Sequence, residues 1–169
     1  GLDYRSGRDD KNLTSVRDSV KILGLCKKIN KTLNQQQKIV VIVRLYELIG
    51  SEKKLTPQRH AIIETAAQVF RINKDIYRSI EDYVLKRKKL PAESEKNILF
   101  ISAEKDDRPD KKGITALKNG DLHFLRIAEN DLYFIRYYGR DDLYLNGLGL
   151  DRTPIYICAK GSTIRLPHG

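Results

Sequence analysis

The sequence predicts an α+β fold in which a four-helix bundle is followed by a small antiparallel β domain. Apolar residues recur at helical spacing up to about residue 90. Beyond that point, short strand-like units begin at Asp121, Asp131 and Asp142, at nearly regular spacing. Pro91 and polar residues separate the two patterns. We therefore predict a helical domain at 13–90 and a β domain at 96–169 that is incomplete at its C-terminus.

The first two helices are predicted from capping residues and apolar spacing. Residues 1–12 are polar and contain glycine, and they show no period that would bury one face, so we expect a loose lead-in. Ser15, with Asp18 three residues later, predicts the start of the first helix. Asn34 with Gln37 predicts the start of the second. Residues 39–49 are apolar on nearly all sides, which predicts a central buried helix that ends near Gly50.

The third and fourth helices follow from similar signals. Thr56 is a suitable N-cap residue, and Pro57 suits the first helical position. Asn73 can cap a fourth helix, which should continue to a basic run at residues 86–89. Positive charge there complements the negative end of the helix dipole. Pro91 closes the helical half.

The second half predicts strands joined by turns. Residues 97–103 indicate a first strand, and the charged stretch 104–113 indicates an exposed loop. The units from Asp121, Asp131 and Asp142, with a further one at 154–158, predict consecutive antiparallel strands. Asn119-Gly120 is a favourable tight-turn pair. Apolar or tyrosine residues lie on both faces, so we expect a sheet that is covered on one side and amphipathic on the other.

Residues with the spacing of an active site are missing from the sequence. It contains no glycine-rich phosphate loop, no nucleophile elbow and no histidines at metal-ligand spacing. Cys26 and Cys158 are far apart and are interpreted as buried reduced thiols, which suits the cytosol. No signal peptide or membrane-spanning stretch is recognisable. We therefore expect a non-enzymatic module cut from a longer protein, without a cofactor of its own.

The net charge of +10 lies mostly in residues 1–95 and leaves the type of partner open. A basic surface can attract nucleic acid, an anionic membrane or an acidic protein. The tyrosines and arginines of the second half could stack on single-stranded nucleic acid, although tyrosines in strands are also common for packing. We select as interaction residues those of the basic run and of the tyrosine-rich strands: Lys86, Arg87, Lys88, Lys89, Arg136, Tyr138 and Arg140.

Residues 25–84 resemble the tellurite-resistance TerB-like family of helical domains. The matching stretch runs from Leu45 to Arg59, with a turn followed by Thr56-Pro57. The acids of the family's pattern are associated with divalent metal. Glu52 stands at the place of the family's Asp, but Arg59 replaces its Glu, and a permanent cation cannot bind a metal ion. We therefore predict no metal site, and Glu52 is the remaining candidate ligand.

The order of a TerB-like region and a β region resembles the N-terminal part of large bacterial ABC transporter ATP-binding proteins. The β region contains residues 143–150 and ends with the stretch 160–166. Its closing strands also resemble those of forkhead-associated domains, without their phosphothreonine-binding Ser-x-x-His. The resemblance implies a regulatory or interaction module whose partners are other domains of the parent at the inner face of the cell membrane. ATP and Mg would then bind elsewhere in the parent. A nucleic-acid-binding module and a divalent-metal-responsive helical domain are the alternatives.

Overall fold

The computed structural model describes residues 3–51, 55–87, 89–102, 111–113 and 120–166. Side chains are described for these residues except 3–16, 50, 51 and 111–113. The chain divides into two compact units, Gly1–Asn73 and Lys74–Gly169. Helices and antiparallel sheets are both present, which confirms the α+β class.

The first unit contains three helices: α1 (Asp3–Thr32), α2 (Gln35–Ser51) and α3 (Pro57–Val69). The predicted loose lead-in is wrong from residue 3 onward, and Ser15 does not begin a helix, because α1 already starts at Asp3. Elongating an existing helix adds a hydrogen bond for each residue that is fixed, so a helix can extend into a segment without an apolar stripe of its own.

The predicted caps of α2 and α3 are confirmed. The backbone N–H of Gln37 donates to Asn34 Oδ1 at 2.8 Å, and the N–H of Asn34 donates to Gln37 Oε1 at 3.0 Å. The backbone N–H of Arg59 donates to Thr56 Oγ1 at 3.2 Å, and α3 begins at Pro57, directly after Thr56. Helix α2 buries one face, which contributes the fully or almost fully buried Ile39, Ile42, Val43 and Tyr46. The prediction of a central helix buried on nearly all sides is wrong, because Leu48 is 59% exposed.

The second unit begins with helix α4 (Lys74–Val84), followed by a short helix α5 (Ala92–Glu95) that the sequence did not predict. The predicted domain boundary lay after residue 90, whereas α4 belongs to the unit that contains the sheets. The Tyr83 hydroxyl donates to the backbone carbonyl of His123 at 2.8 Å. Ile80 of the same helix is fully buried. An amphipathic helix can bury its apolar face against a sheet as well as against other helices.

Two sheets form the rest of the unit. The first has the order β2-β1-β3-β4-β7 and the second the order β6-β5-β8. The strands are β1 (Ile98–Ser102), β2 (Lys111–Gly113), β3 (Gly120–Ile127), β4 (Leu132–Gly139), β5 (Tyr144–Leu145), β6 (Leu148–Gly149), β7 (Ile155–Cys158) and β8 (Ile164–Arg165). Only the β1–β2 pairing is parallel among the described strands.

The two faces of the first sheet pack differently. Leu122, Ile135, Tyr137 and Cys158 form a core with Leu143 and Leu145, which flank or lie in β5. The opposite face carries His123 and Arg136, a directly opposed pair that contacts α4 through hydrogen bonds. The second sheet therefore covers one face, and α4 packs on the other.

The predicted strands at 97–103 and after Asp121, Asp131 and Pro154 are confirmed, but two predictions for this half are wrong. Residues 111–113 pair with β1 as a strand, where a loop was expected. The strand after Asp142 leaves the first sheet and pairs in the second. Leu143 and Leu145 of this segment are buried in the core between the sheets. The segment therefore packs against the face of the first sheet and does not pair with a strand at its edge.

Both cysteines are buried and free, which confirms the prediction of reduced buried thiols. Burial raises the pKa of the Cys26 thiol and raises that of Cys158 to about 11. Within the described ranges, no helix combines the length and apolar character needed to cross a bilayer.

A candidate cation-aromatic interaction site

The end of α4 projects a basic residue over the sheet. The N–H of Arg87 donates to the carbonyl of Asp82 at 3.1 Å, and the N–H of Lys86 donates to the carbonyl of Tyr83 at 3.4 Å. Lys86 takes a left-handed conformation, with φ 54°. These features define a Schellman motif, in which glycine is the usual residue at the left-handed position. The chain has lysine there instead.

Lys86 lies against Tyr138 of β4. Its Nζ atom is 3.9 Å from the centroid of the Tyr138 ring, and the Arg136 guanidinium carbon is 5.4 Å from the same centroid. Two cations therefore share one aromatic ring, an attractive geometry for each of them. Burial lowers the pKa of Lys86, and the positive charge of Arg136 lowers it further.

Tyr138 is the end of an aromatic row that crosses three strands. The Phe100 and His123 rings are 4.6 Å apart edge to face, and those of His123 and Tyr138 are 4.7 Å apart. The register pairs Phe100 with His123 and His123 with Arg136, so these side chains share the face on which α4 packs. Burial raises the pKa of Tyr138 to about 12, although nearby Arg136 acts to lower it. We call Lys86, Arg136, Tyr138, His123 and Phe100 the cation-aromatic cluster.

Arg136 is fixed by two backbone carbonyls. Its Nε donates to the carbonyl of Thr153 at 2.6 Å, and its Nη1 donates to that of Val84 at 3.1 Å. The second bond joins β4 to the last turn of α4. Neither Lys86 nor Arg136 forms an ion pair with a carboxylate in the described part of the chain.

Arg87 has a different role from its neighbour. Its Nη2 lies 2.6 Å from Glu81 Oε1, and its Nη1 lies 3.4 Å from Asp82 Oδ1. Both carboxylates are buried, and Asp82 also accepts a hydrogen bond of 2.7 Å from the buried Ser94 hydroxyl. Arg87 therefore neutralises two buried acids at the end of α4, and the bond between Ser94 and Asp82 ties this end to α5.

The structure thus unites three of the seven selected interaction residues: Lys86, Arg136 and Tyr138. Lys89 and Arg140 are exposed, and Lys88 lies outside the described residues. His123 and Phe100 were missed, because only the folded sheet places His123 beside Tyr138 and Phe100 beside His123. The alternation of residues along a strand indicates which side chains share a face of the sheet, but it does not indicate which residues of the adjacent strands lie beside them.

The predicted metal and nucleic-acid features have different outcomes: Tyr138 and Arg136, which were considered for base stacking, belong to the cluster. Glu52 lies outside the described residues, and Arg59 is exposed. No group of three potential metal ligands occurs among the residues that the structure describes. Of the tyrosines considered for base stacking, Tyr137 is buried in the core, and Tyr144 has the Arg165 guanidinium 4.6 Å from its ring centroid.

Each unit also has a pocket. In the first unit, α1 and α3 enclose about 340 Å³ between mostly apolar side chains that include Ile22, Cys26 and Ile62. In the second, a pocket of about 590 Å³ surrounds the start of β1. Phe100 lines this second pocket and also belongs to the cation-aromatic cluster.

No protein-family model matches the chain, and neither a curated protein nor a solved structure matches it significantly.

Proposed function

We propose that the chain is a non-catalytic interaction module whose cation-aromatic cluster binds carboxylates of an acidic protein segment. The convergence of Lys86 and Arg136 on Tyr138, without an ion-paired carboxylate among the described residues, carries the proposal. Two cations held at one ring can bind a carboxylate, and desolvation by the ring strengthens the attraction to an anion.

The backbone of Lys86 supports a functional use of its side chain. A left-handed conformation costs a residue other than glycine about 1–2 kcal/mol. The position nevertheless holds a lysine whose amino group reaches Tyr138. Strain of this kind is often found where a side chain is needed for binding.

The arrangement favours a discrete carboxylate over a lipid surface. Membrane attraction grows by about 1 kcal/mol for each basic residue near the surface, so it needs several free cations. Arg87 is engaged by Glu81 and Asp82, and Arg136 is held by two carbonyls. Arg87 of the predicted basic run is thus partly neutralised, which reduces the positive charge that the run can offer to a membrane.

The resemblance to ABC transporter ATP-binding proteins suggests where the acidic segment lies. In this proposal the chain is a regulatory module at the inner face of the cell membrane, and its partners are other domains of the parent. ATP and Mg would bind in a separate ATPase domain. The parent sequence tests this extension: a GxxxxGK[ST] loop followed by long apolar segments supports it, and a parent without them refutes it.

The binding proposal is tested with three probes: a hexaglutamate peptide, phosphatidylserine vesicles and oligo-dT. We expect the peptide to bind more tightly than the other two, with an affinity that falls as salt is added. Lys86→Glu should weaken peptide binding at least tenfold, whereas Lys160→Glu, an exposed charge reversal on a turn, should have little effect. Tighter binding to vesicles or to oligo-dT would contradict the proposal in favour of a membrane or nucleic-acid module.

A further inference from the structure

The pocket at the start of β1 has the lining of a binding site. Its volume of about 590 Å³ is within the usual range for ligand pockets. Leu99, Phe124 and Tyr133 contribute to an apolar part of its wall, and the polar side chains of Glu95, Lys96, Asn97 and Arg126 also line it. Leu99 is 40% exposed, so part of its side chain is accessible from the pocket.

The strand register shows how the pocket arises. Leu99 is opposite Phe124, and Arg126 is opposite Tyr133, so these side chains share one face of the first sheet. The core between the sheets lies on this face but is centred on Leu122, Ile135 and Leu143. The apolar wall therefore continues past the region that the second sheet covers.

Charge indicates the chemistry of an occupant. Lys96 and Arg126 line the pocket together with a single acid, Glu95. Neither cation forms an ion pair within the described ranges. An apolar group that carries neighbouring negative charge would complement such a wall.

Phe100 connects this pocket to the cation-aromatic cluster. It lines the pocket, while its ring contacts His123 on the face where Lys86 and Arg136 meet Tyr138. The pocket and the cation-aromatic cluster thus share Phe100.

We infer that the pocket receives an apolar anchor side chain from an acidic protein segment. This inference rests on the proposed function and specifies its partner: an aromatic or large aliphatic residue flanked by carboxylates. The anchor packs between Leu99, Phe124 and Tyr133, while carboxylates on either side meet Lys96 and Arg126 or the cluster.

Two synthetic peptides, Asp-Asp-Phe-Asp-Asp and Asp-Asp-Ala-Asp-Asp, test the inference by calorimetric titration of the full chain. We expect the phenylalanine peptide to bind about fivefold more tightly, or better, because part of its ring leaves water. Leu99→Asp should remove this preference. Leu148→Asp, at a more exposed leucine outside the pocket, should retain it. Leu99→Ser, checked by circular dichroism, separates loss of the pocket from repulsion by the new charge.

The outcomes distinguish the two proposals. Equal binding of both peptides, weakened alike by Lys86→Glu, would overturn the pocket while the proposed function stands. A preference for phenylalanine that survives both Leu99 substitutions would also overturn the pocket. Failure of both peptides to bind would overturn the proposed function together with the pocket.

Discussion

Replacement of Lys86 by glycine should separate binding from stability. Lys86 is left-handed, with φ 54°, and glycine removes the strain of about 1–2 kcal/mol that this conformation imposes. Glycine also lowers stability by about 0.5–1 kcal/mol, because it increases the conformational entropy of the unfolded chain. The substitution loses a cation-π contact of 3.9 Å as well, which contributes about 0.5–1 kcal/mol. The terms nearly cancel, so we expect a change in stability close to zero.

Arg71 provides a matched control at the end of α3. It is also left-handed, with φ 53°, and lies at the same place in a Schellman motif: its N–H donates to Gln68 at 3.0 Å, and the N–H of Ile72 donates to Ala67 at 3.0 Å. Because Arg71 has no aromatic ring contact among those described, Arg71→Gly should raise the free energy of unfolding by up to about 1 kcal/mol.

Guanidinium denaturation followed by circular dichroism measures both variants, and titration with hexaglutamate measures binding. Lys86→Gly should bind several-fold more weakly at unchanged stability, whereas Arg71→Gly should bind normally. A loss of more than about 2 kcal/mol in Lys86→Gly would refute the reasoning, since it would make Lys86 a structural residue. Stabilisation equal to that of Arg71→Gly would show that the contact with Tyr138 contributes nothing.

Two further predictions concern stability. Arg87→Ala should lower the free energy of unfolding by about 2 kcal/mol, between the values for exposed and fully buried ion pairs, because Arg87 is half exposed while its two acids are buried. Arg44→Ala, which breaks an exposed i,i+3 pair with Glu47, should lower it by at most about 0.5 kcal/mol in the same denaturation assay, and equal losses would contradict the role of Arg87 in neutralising buried acids. Stability should fall as pH rises from about 9 to 11, because the unfolded chain releases the Cys158 proton at its ordinary pKa while the folded protein retains it. The raised pKa of Tyr138 should extend this fall to about pH 12. Thermal unfolding measures the effect, and a stability that does not change across this range would contradict both pKa shifts.

Local signals in the sequence predicted the starts of α2 and α3 correctly. The caps at Asn34 and Thr56 need only a side-chain oxygen and a backbone N–H a few residues away, so a short stretch of sequence contains the whole interaction. The start of α1 was missed for the opposite reason. No capping residue marks it, and it depends on elongation of a helix that the later residues form.

The position of α4 and the cluster could not be predicted in the same way. The apolar stripe of α4 fits a bundle as well as a sheet, and only contacts such as that of Tyr83 with His123 decide between them. The sequence did indicate Lys86, Arg136 and Tyr138 by charge and residue type. Their meeting depends on the β3–β4 register and on the left-handed turn at Lys86, which are long-range and conformational properties.

Mapping of the bound peptide by nuclear magnetic resonance tests the central claim most directly. Hexaglutamate is titrated into the isotope-labelled chain, and amide shifts are followed at low and high salt. We predict that the largest shifts occur at Lys86, His123, Arg136 and Tyr138 and that they diminish as salt is added. Shifts concentrated instead on the basic residues of α1, such as Lys27 and Lys28, would contradict the assignment of the cation-aromatic cluster as the interaction site.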